Sequence, residues 1–274
     1  MIEAGTSRLT LKLRAEPAER CDLSALTPVR VGGMSRADIE RMAIGTSNAT
    51  LRLGDVFTVS GEAGGEIVIA GGSSRLDFVG AGLDGGSLTV EGDVGAYAGA
   101  GMKGGMLTIR GDTGPWLGAG MKGGLVHVTG SSGEETGGMR TGDRYGMLGG
   151  SIVVEGNVGA RAGHRMRRGT VVARGQFGPA AGARMMGGTP WTEKGFAADP
   201  GLQMRRGTLI GPKVERLLPT FREAGDHDLV ILRILSRDVA ARLGKLAPKP
   251  LPAKVRKISG DLAVFGKGEL LITA

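Results

Sequence analysis

Residues 99–110 read Gly-Ala-Gly-Met-Lys-Gly-Gly-Met-Leu-Thr-Ile-Arg, and residues 118–129, nineteen positions later, read Gly-Ala-Gly-Met-Lys-Gly-Gly-Leu-Val-His-Val-Thr. A methionine opens every copy of this glycine-rich turn: Met102, Met121, Met147, Met166, Met185 and Met204. Four of the five spacings are nineteen residues and one is twenty-six, so one copy contains a seven-residue insertion, between Gly130 and Gly146. A fixed period of this length is typical of a solenoid, in which each repeat stacks on its neighbours.

Each turn leads into a short apolar alternation, as in residues 87–91 and 151–155, and a glycine follows at once. Five residues rich in Val, Ile and Thr with one apolar face predict a half-buried strand. Nineteen residues hold two or three short strands with tight glycine corners, but not a strand and a helix of ordinary length. We therefore predict an all-β protein, a parallel β-helix of roughly eight coils of about 19 residues, with the methionines filling its core.

Three segments follow from where the repeat starts and stops, since a solenoid needs caps over its terminal strand edges. We expect a strand and helix cap at residues 1–50, the repeat domain at 51–211, and a C-terminal cap with a helix and a Pro-rich segment at 212–274.

Within these segments, four elements are predicted. Residues 2–14 alternate as an edge strand would, and Ser35 with Asp38 resembles a helix N-terminus. Residues 53–59 resemble a first coil, and residues 234–246 have the apolar spacing of a helix.

Composition excludes several classes of site. The single cysteine, Cys21, excludes a disulfide framework and a cysteine-based metal cluster. The three histidines, His127, His164 and His227, lack metal-ligand spacing and have no acid or nucleophile nearby in sequence. We therefore predict no catalytic residue and no metal site in this chain.

Residues 99–104 and 118–123 match the G-x-G-x-x-G pattern, but a strand rather than a helix follows each, so they are repeat turns and not nucleotide sites. Two Trp, two Tyr and six Phe offer little for nucleic-acid bases to stack on. With neither a secretory signal nor an apolar run near the roughly eighteen residues of a membrane span, the chain is expected to be cytoplasmic and free of membrane.

The positive charge is concentrated in one stretch. The net charge is +8, and residues 160–210 carry nine cations against two acidic residues. Equivalent positions of a solenoid align, so Lys103, Lys122, Arg167 and Arg205 should form a ladder beside the methionines, with Arg165 and Arg184 as neighbours. The candidate residues for binding an anionic ligand or contacting another subunit are Lys103, Lys122, Arg161, Arg165, Arg167, Arg168, Arg184, Arg205 and Arg206. A solvated face, a contact with another subunit and an anion site remain alternatives at this point.

The repeat and the motifs that flank it together resemble a known family. The Met-Lys-Gly-Gly turns, Leu-Gly-Asp-Val-Phe-Thr-Val at 53–59, Gly-Asp-Leu-Ala at 260–263 and Gly-Lys-Gly-Glu-Leu at 266–270 resemble the C subunit of formylmethanofuran dehydrogenase. The bacterial counterpart is the C subunit of the formyltransferase/hydrolase complex of methylotrophs, and the repeat also resembles the C-terminal β-helix of the glutamate synthase large subunit. The resemblance runs over nearly the whole chain, and it implies a right-handed β-helix with small α/β caps and no active site of its own.

The resemblance also implies a function and partners. In the bacterial complex a formyltransferase subunit moves a formyl group from formyl-tetrahydromethanopterin to a furan carrier (methylofuran or methanofuran). An amidohydrolase-like, metal-dependent subunit then releases formate, as part of formaldehyde oxidation. These two subunits, a further subunit and the polyglutamylated carrier are the implied partners, and no cofactor is attached covalently to this chain. The carrier's tail is an anion suited to the basic stretch.

Beside an enzyme resembling β-helical lyases or acyltransferases, which would need a carboxylate pair, a calcium site or a catalytic His in a cleft, two non-catalytic alternatives remain. One is the C subunit of an archaeal tungsten or molybdenum formylmethanofuran dehydrogenase. The chain is rich in Ala and Arg and has few Ile and Lys, a composition that indicates a GC-rich genome and so favours the complex of a methylotrophic bacterium. The other is a free-standing polyanion-binding β-helix.

Overall fold

The computed structural model describes residues 8–47 and 50–273. The N-terminal part contains β1 (Arg8–Leu13), β2 (Cys21–Asp22), α1 (Pro28–Val31), α2 (Arg36–Glu40), α3 (Leu53–Val56) and β3 (Phe57–Gly61). The repeats contain β4 (Glu66–Ala70), β5 (Leu76–Asp77), β6 (Asp84–Glu91), β7 (Gly104–Ile109), β8 (Leu125–Val128), β9 (Ser151–Val154), β10 (Thr170–Ala173), β11 (Thr189–Thr192), β12 (Phe196–Ala198) and β13 (Arg206–Gly211). The C-terminal part contains β14 (Val214–Arg216), β15 (Arg222–Asp228), α4 (Val230–Leu243), a 3-10 turn (Gly244–Leu246), β16 (Lys254–Gly260) and β17 (Lys267–Ile272).

One mixed sheet of thirteen strands runs the length of the protein, in the order β15-β16-β17-β13-β11-β10-β9-β8-β7-β6-β4-β1-β3. The strands from β1 and β4 to β13 and β17 pair in parallel, and equivalent residues of successive repeats face each other, as Leu88 faces Leu107. Antiparallel pairs, β1 with β3 and β16 with both β15 and β17, close the two ends. The predicted all-β class is confirmed.

A second row of parallel pairing follows at the next corner of each repeat. Its members are Ser73, Val94, Thr113, Ser132, Val158, Phe177 and Phe196, each bridged to the next. Neither row is interrupted by the insertion, because Leu125 pairs with Ser151 in the first row and Ser132 with Val158 in the second. Each repeat therefore lies directly on the one before it, and residues at equivalent positions form columns along the stack.

The predicted methionine core is confirmed, and the structure explains why glycine accompanies it. All six repeat methionines are fully buried. Each methyl group lies against the glycine that ends the equivalent turn one repeat further on, or against Gly268 of β17 in the case of Met204; a Cβ built on Gly188 would lie 2.9 Å from both Cε and Sδ of Met166. Gly188 also has φ +94°, a conformation that L side chains rarely adopt. Methionine and glycine therefore recur together, since each side chain fills the space that the next glycine leaves.

Two predictions for the N-terminal part are wrong. β1 is not an edge strand, because it lies between β4 and β3; residues 2–7 of the predicted strand lie outside the described residues. Residues 53–59 do not form a coil but a helical turn followed by β3, the true edge. Asp55 Oδ2 accepts a hydrogen bond from the N–H of Arg52 (2.8 Å), which starts the turn. The helix predicted from Ser35 is confirmed, since Ser35 Oγ accepts a hydrogen bond from the N–H of Asp38.

The C-terminal part covers one side of the sheet. Its helix, α4, begins earlier than predicted, at Val230, and packs Leu232, Val239 and Leu243 in a cluster with sheet residues such as Val172 and Ile210. β17 pairs in parallel with β13 and so adds one more strand to the first row. Across residues 8–47 and 50–273, no helix is long and apolar enough to cross a membrane.

The thiol of Cys21 is expected to be unreactive in the folded protein. The thiol is fully buried on β2, and burial raises its pKa, with the charges of Glu19 and Asp77 acting in the same direction. Because the thiolate is the reactive form, we expect DTNB to react with the native protein at least roughly a hundredfold more slowly than with the unfolded chain. Equal rates for native and guanidinium-unfolded protein would contradict the placement of β2.

A candidate anion-binding groove

The corner just before each methionine turn changes its residue type along the stack. In the early repeats this corner position is a glycine with positive φ: Gly82, Gly101 and Gly120. In later repeats the same backbone bend is formed by Arg165, Arg184 and Gln203, with φ of 53°, 54° and 56°. A side chain in this conformation costs about 1 kcal/mol relative to glycine. The later repeats thus accept strain and carry long polar side chains at a corner where the earlier ones have none.

These corner residues line a cleft of about 290 Å³. Backbone hydrogen bonds join the corner to the next repeat, from Arg165 N to Ala183 O (2.9 Å) and from Arg184 N to Leu202 O (2.7 Å). The lining residues are Arg144, Tyr145, Arg165, Arg184, Met186, Gln203, Arg205 and Val264. Arg184 Nε donates to Gln203 Oε1 (2.9 Å). Within the described ranges none of the four arginines forms an ion pair with a carboxylate, so four positive charges face one small volume.

A second cleft of about 360 Å³ adjoins the first and shares Met186 and Arg205 with it. Its other lining residues are Arg167, Arg206, Phe265 and Lys267. The three additional cations also lack a carboxylate partner among the residues that the structure describes. The Arg205 guanidinium lies 5.4 Å from the centre of the exposed Phe265 ring. We call the two clefts together the basic groove; it holds seven cations and can bind an elongated anion.

The basic groove contains five of the nine cations predicted from the sequence: Arg165, Arg167, Arg184, Arg205 and Arg206. Two others are neutralised by acids, Lys103 by Asp84 and Arg161 by Glu135 (Nε to Oε1, 2.7 Å).

The remaining two, Lys122 and Arg168, line neither cleft. The backbone positions of the predicted ladder do align from repeat to repeat, because each is hydrogen-bonded to the repeat before it: Arg205 N donates to Met185 O, and Lys122 N donates to Met102 O. Leu148 and Met186 occupy its equivalent positions in two repeats and interrupt the row of charges.

Sequence reasoning missed the groove residues that lie outside the repeat. Arg144 and Tyr145 come from the insertion, and Val264, Phe265 and Lys267 from the C-terminal part. The insertion was visible as a break in the period, and its arginines were a usable signal. Nothing local indicated that β17 would return to β13 and place Lys267 opposite Arg206.

Two histidines have acidic partners that are distant in sequence. His164 Nδ1 lies 3.1 Å from Glu135 Oε2, and His127 Nε2 lies 3.2 Å from Glu155 Oε1. The Glu135 side chain is 8% exposed and also binds Arg161, so this carboxylate links two neighbouring side chains. For the described part of the chain, no group of three or more His, Cys, Asp or Glu side chains could hold a metal ion.

A sequence comparison and a structure comparison both find the same complex. No model of a known protein family matches the sequence. The C subunit of the formyltransferase/hydrolase complex (Fhc) of Methylorubrum extorquens is 52% identical over 86 residues, which span 31% of this chain and about a third (32%) of that relative. A chain in the X-ray crystal structure of the formyltransferase/hydrolase complex (FhcABCD) from Methylorubrum extorquens, in complex with methylofuran, is 42% identical with a TM-score of 0.88; the match covers 97% of this chain and 99% of that one.

Proposed function

The chain belongs to the family of the C subunit of the formyltransferase/hydrolase complex, and on that premise we propose that it is the non-catalytic scaffold subunit of such a complex. Partner subunits would transfer the formyl group from formyl-tetrahydromethanopterin to a furan carrier and hydrolyse the product to formate, in the cytoplasm and as part of formaldehyde oxidation. The metal that hydrolysis requires would belong to the hydrolase subunit.

We propose that the repeat stack is a right-handed parallel β-helix. Support comes from the sequential parallel pairing in two rows and from the agreement with a whole chain of the solved complex. Exposed apolar side chains favour a role inside an assembly. Val230, Ile231 and Ile234 lie together at the start of α4, and Phe265 is 63% exposed beside the basic groove. Clustered exposed apolar residues mark surfaces that another protein covers.

We further propose that the basic groove holds the anionic, glutamate-containing tail of the furan carrier. The observation that carries this proposal is the set of seven cations without carboxylate partners among the described residues: Arg144, Arg165, Arg167, Arg184, Arg205, Arg206 and Lys267. Such a cluster raises the local positive potential, and arginine binds carboxylates through paired donors. The related complex from Methylorubrum extorquens was solved with methylofuran.

Purification from the native host through a tag on this chain tests the proposal. We expect a formyltransferase subunit, an amidohydrolase-like subunit and a furan carrier to co-elute and to be identified by mass spectrometry. Recovery of the chain without these subunits would contradict the scaffold role. Recovery of the subunits without the carrier, from cells that make it, would contradict the role of the groove.

A further inference from the structure

The seven-residue insertion is an addition to a stack that is complete without it. Gly138 O accepts a hydrogen bond from Gly120 N (3.2 Å), and Gly146 N donates to Arg165 O (3.0 Å), so the repeat backbone resumes on either side. Residues 139–145 contribute no strand to the sheet. Within them Arg140 Nε pairs with Asp143 Oδ2 at 2.7 Å. The loop can therefore be altered without changing the register of the strands.

Tyr145, the last residue of this insertion, joins it to the stack. Its ring centre lies 5.2 Å from the Arg144 guanidinium carbon and 5.2 Å from that of Arg167. Arg144 belongs to the insertion, whereas Arg167 follows a repeat methionine. An aromatic ring attracts cations through its electron-rich faces, so one ring holds an arginine from each of the two clefts.

The two arginines lack the partner that would normally balance them. In the described part of the chain neither forms an ion pair, and like charges close to one ring repel each other. An anion between them would remove this repulsion and would receive hydrogen bonds from two guanidinium groups. The cations extend through two adjoining clefts, which suits successive carboxylates of a chain better than one compact phosphate.

We propose that Tyr145 is a positioning residue that holds Arg144 and Arg167 at a shared carboxylate position, so that the insertion forms one wall of the basic groove. The inference rests on the proposed function and adds to it a specific device that retains a ligand with several carboxylates. Tyr145 acts through the arginines, and its ring rather than its hydroxyl is the working part.

The test uses the whole complex, produced in a host that does not make the furan carrier, and a fluorescein-labelled oligoglutamate as the probe. Tyr145→Ala should raise the Kd of the probe about five- to tenfold, and Tyr145→Phe should change it by less than about twofold. The salt dependence of binding should also become shallower in Tyr145→Ala, because fewer ionic contacts remain. Inorganic phosphate at equal charge should displace little of the probe. Unchanged thermal unfolding midpoints show that both variants fold.

The outcomes separate the role of Tyr145 from the role of the basic groove as a whole. If Tyr145→Ala binds the probe as the native complex does while the triple variant Arg165→Gln/Arg184→Gln/Arg205→Gln loses it, the Tyr145 inference is overturned and the groove proposal stands. If neither variant changes binding, both are overturned. If Tyr145→Phe is as weak as Tyr145→Ala, the hydroxyl is responsible and the proposed contact with the ring is wrong.

Discussion

Replacing Arg165, Arg184 and Arg205 together with glutamine is expected to weaken the binding of an oligoglutamate to the complex by about thirtyfold. All three line the first cleft, and none has a carboxylate partner among the described residues. The groove is partly open to water, so each lost ionic contact is worth about 0.7 kcal/mol, and three of them about 2 kcal/mol. Glutamine keeps part of the side chain, and since Arg165 and Arg184 already have positive φ, it adds no new kind of backbone strain. The Kd of the labelled probe at two salt concentrations measures the effect.

A matched control separates a local site from overall charge. Arg222, Arg237 and Lys245 are exposed residues of the C-terminal part that line neither cleft. Their replacement by glutamine removes the same three charges from a net +8. We expect this variant to bind the probe within about twofold of the native complex, because distant charges at the surface are screened by salt. Equal weakening in both variants would mean that net charge attracts the anion, and loss of a partner subunit from the groove variant would make the groove a contact with that partner.

The parts of the fold that sequence alone predicted are those in which stacking imposes the repeat. Met102, Met121 and their equivalents each meet the same surroundings one repeat further on, so the period of the sequence is the register of the sheet. Residues 53–59 share the composition of a repeat, but their structure depends on β1, a partner more than forty residues away in sequence. Antiparallel pairing between segments distant in sequence produces no sequence period from which it could be predicted.

The repeat also determines which groove residues can be predicted from the sequence. Arg165 and Arg184 are repeat positions, whereas Tyr145 and Lys267 reach the groove through an insertion and a returning strand. The ion pairs of two further predicted cations, Lys103 and Arg161, could also have been predicted by comparing equivalent positions of neighbouring repeats for acidic residues. Asp84 precedes Lys103 by one repeat, and Glu135 precedes Arg161 by one repeat plus the insertion. Equivalent positions of opposite charge in adjacent repeats form ion pairs.

Replacing Gly188 with alanine is expected to lower the free energy of unfolding by about 2–4 kcal/mol, because two penalties combine. The positive φ of 94° costs an alanine about 1 kcal/mol. The new methyl group would also lie 2.9 Å from Cε of Met166, which is fully buried, and overpacking a core costs about 1–3 kcal/mol. Urea unfolding followed by circular dichroism measures the change. Gly33→Ala is the matched control, since Gly33 has φ +79° but open space around the added Cβ; it should show only the conformational penalty.

A double-mutant cycle assigns the remaining penalty to its cause. Met166→Ala alone should destabilise the protein by about 2–5 kcal/mol, because it leaves a cavity in the core. In that background Gly188→Ala should cost only about 1 kcal/mol, since the methionine that the new methyl group would strike has been removed. If the two substitutions are additive, the steric explanation of the recurring methionine and glycine is wrong. If they are not additive, a contact between neighbouring repeats maintains the nineteen-residue period. Neither the methionine nor the glycine can then change unless its partner in the adjacent repeat also changes.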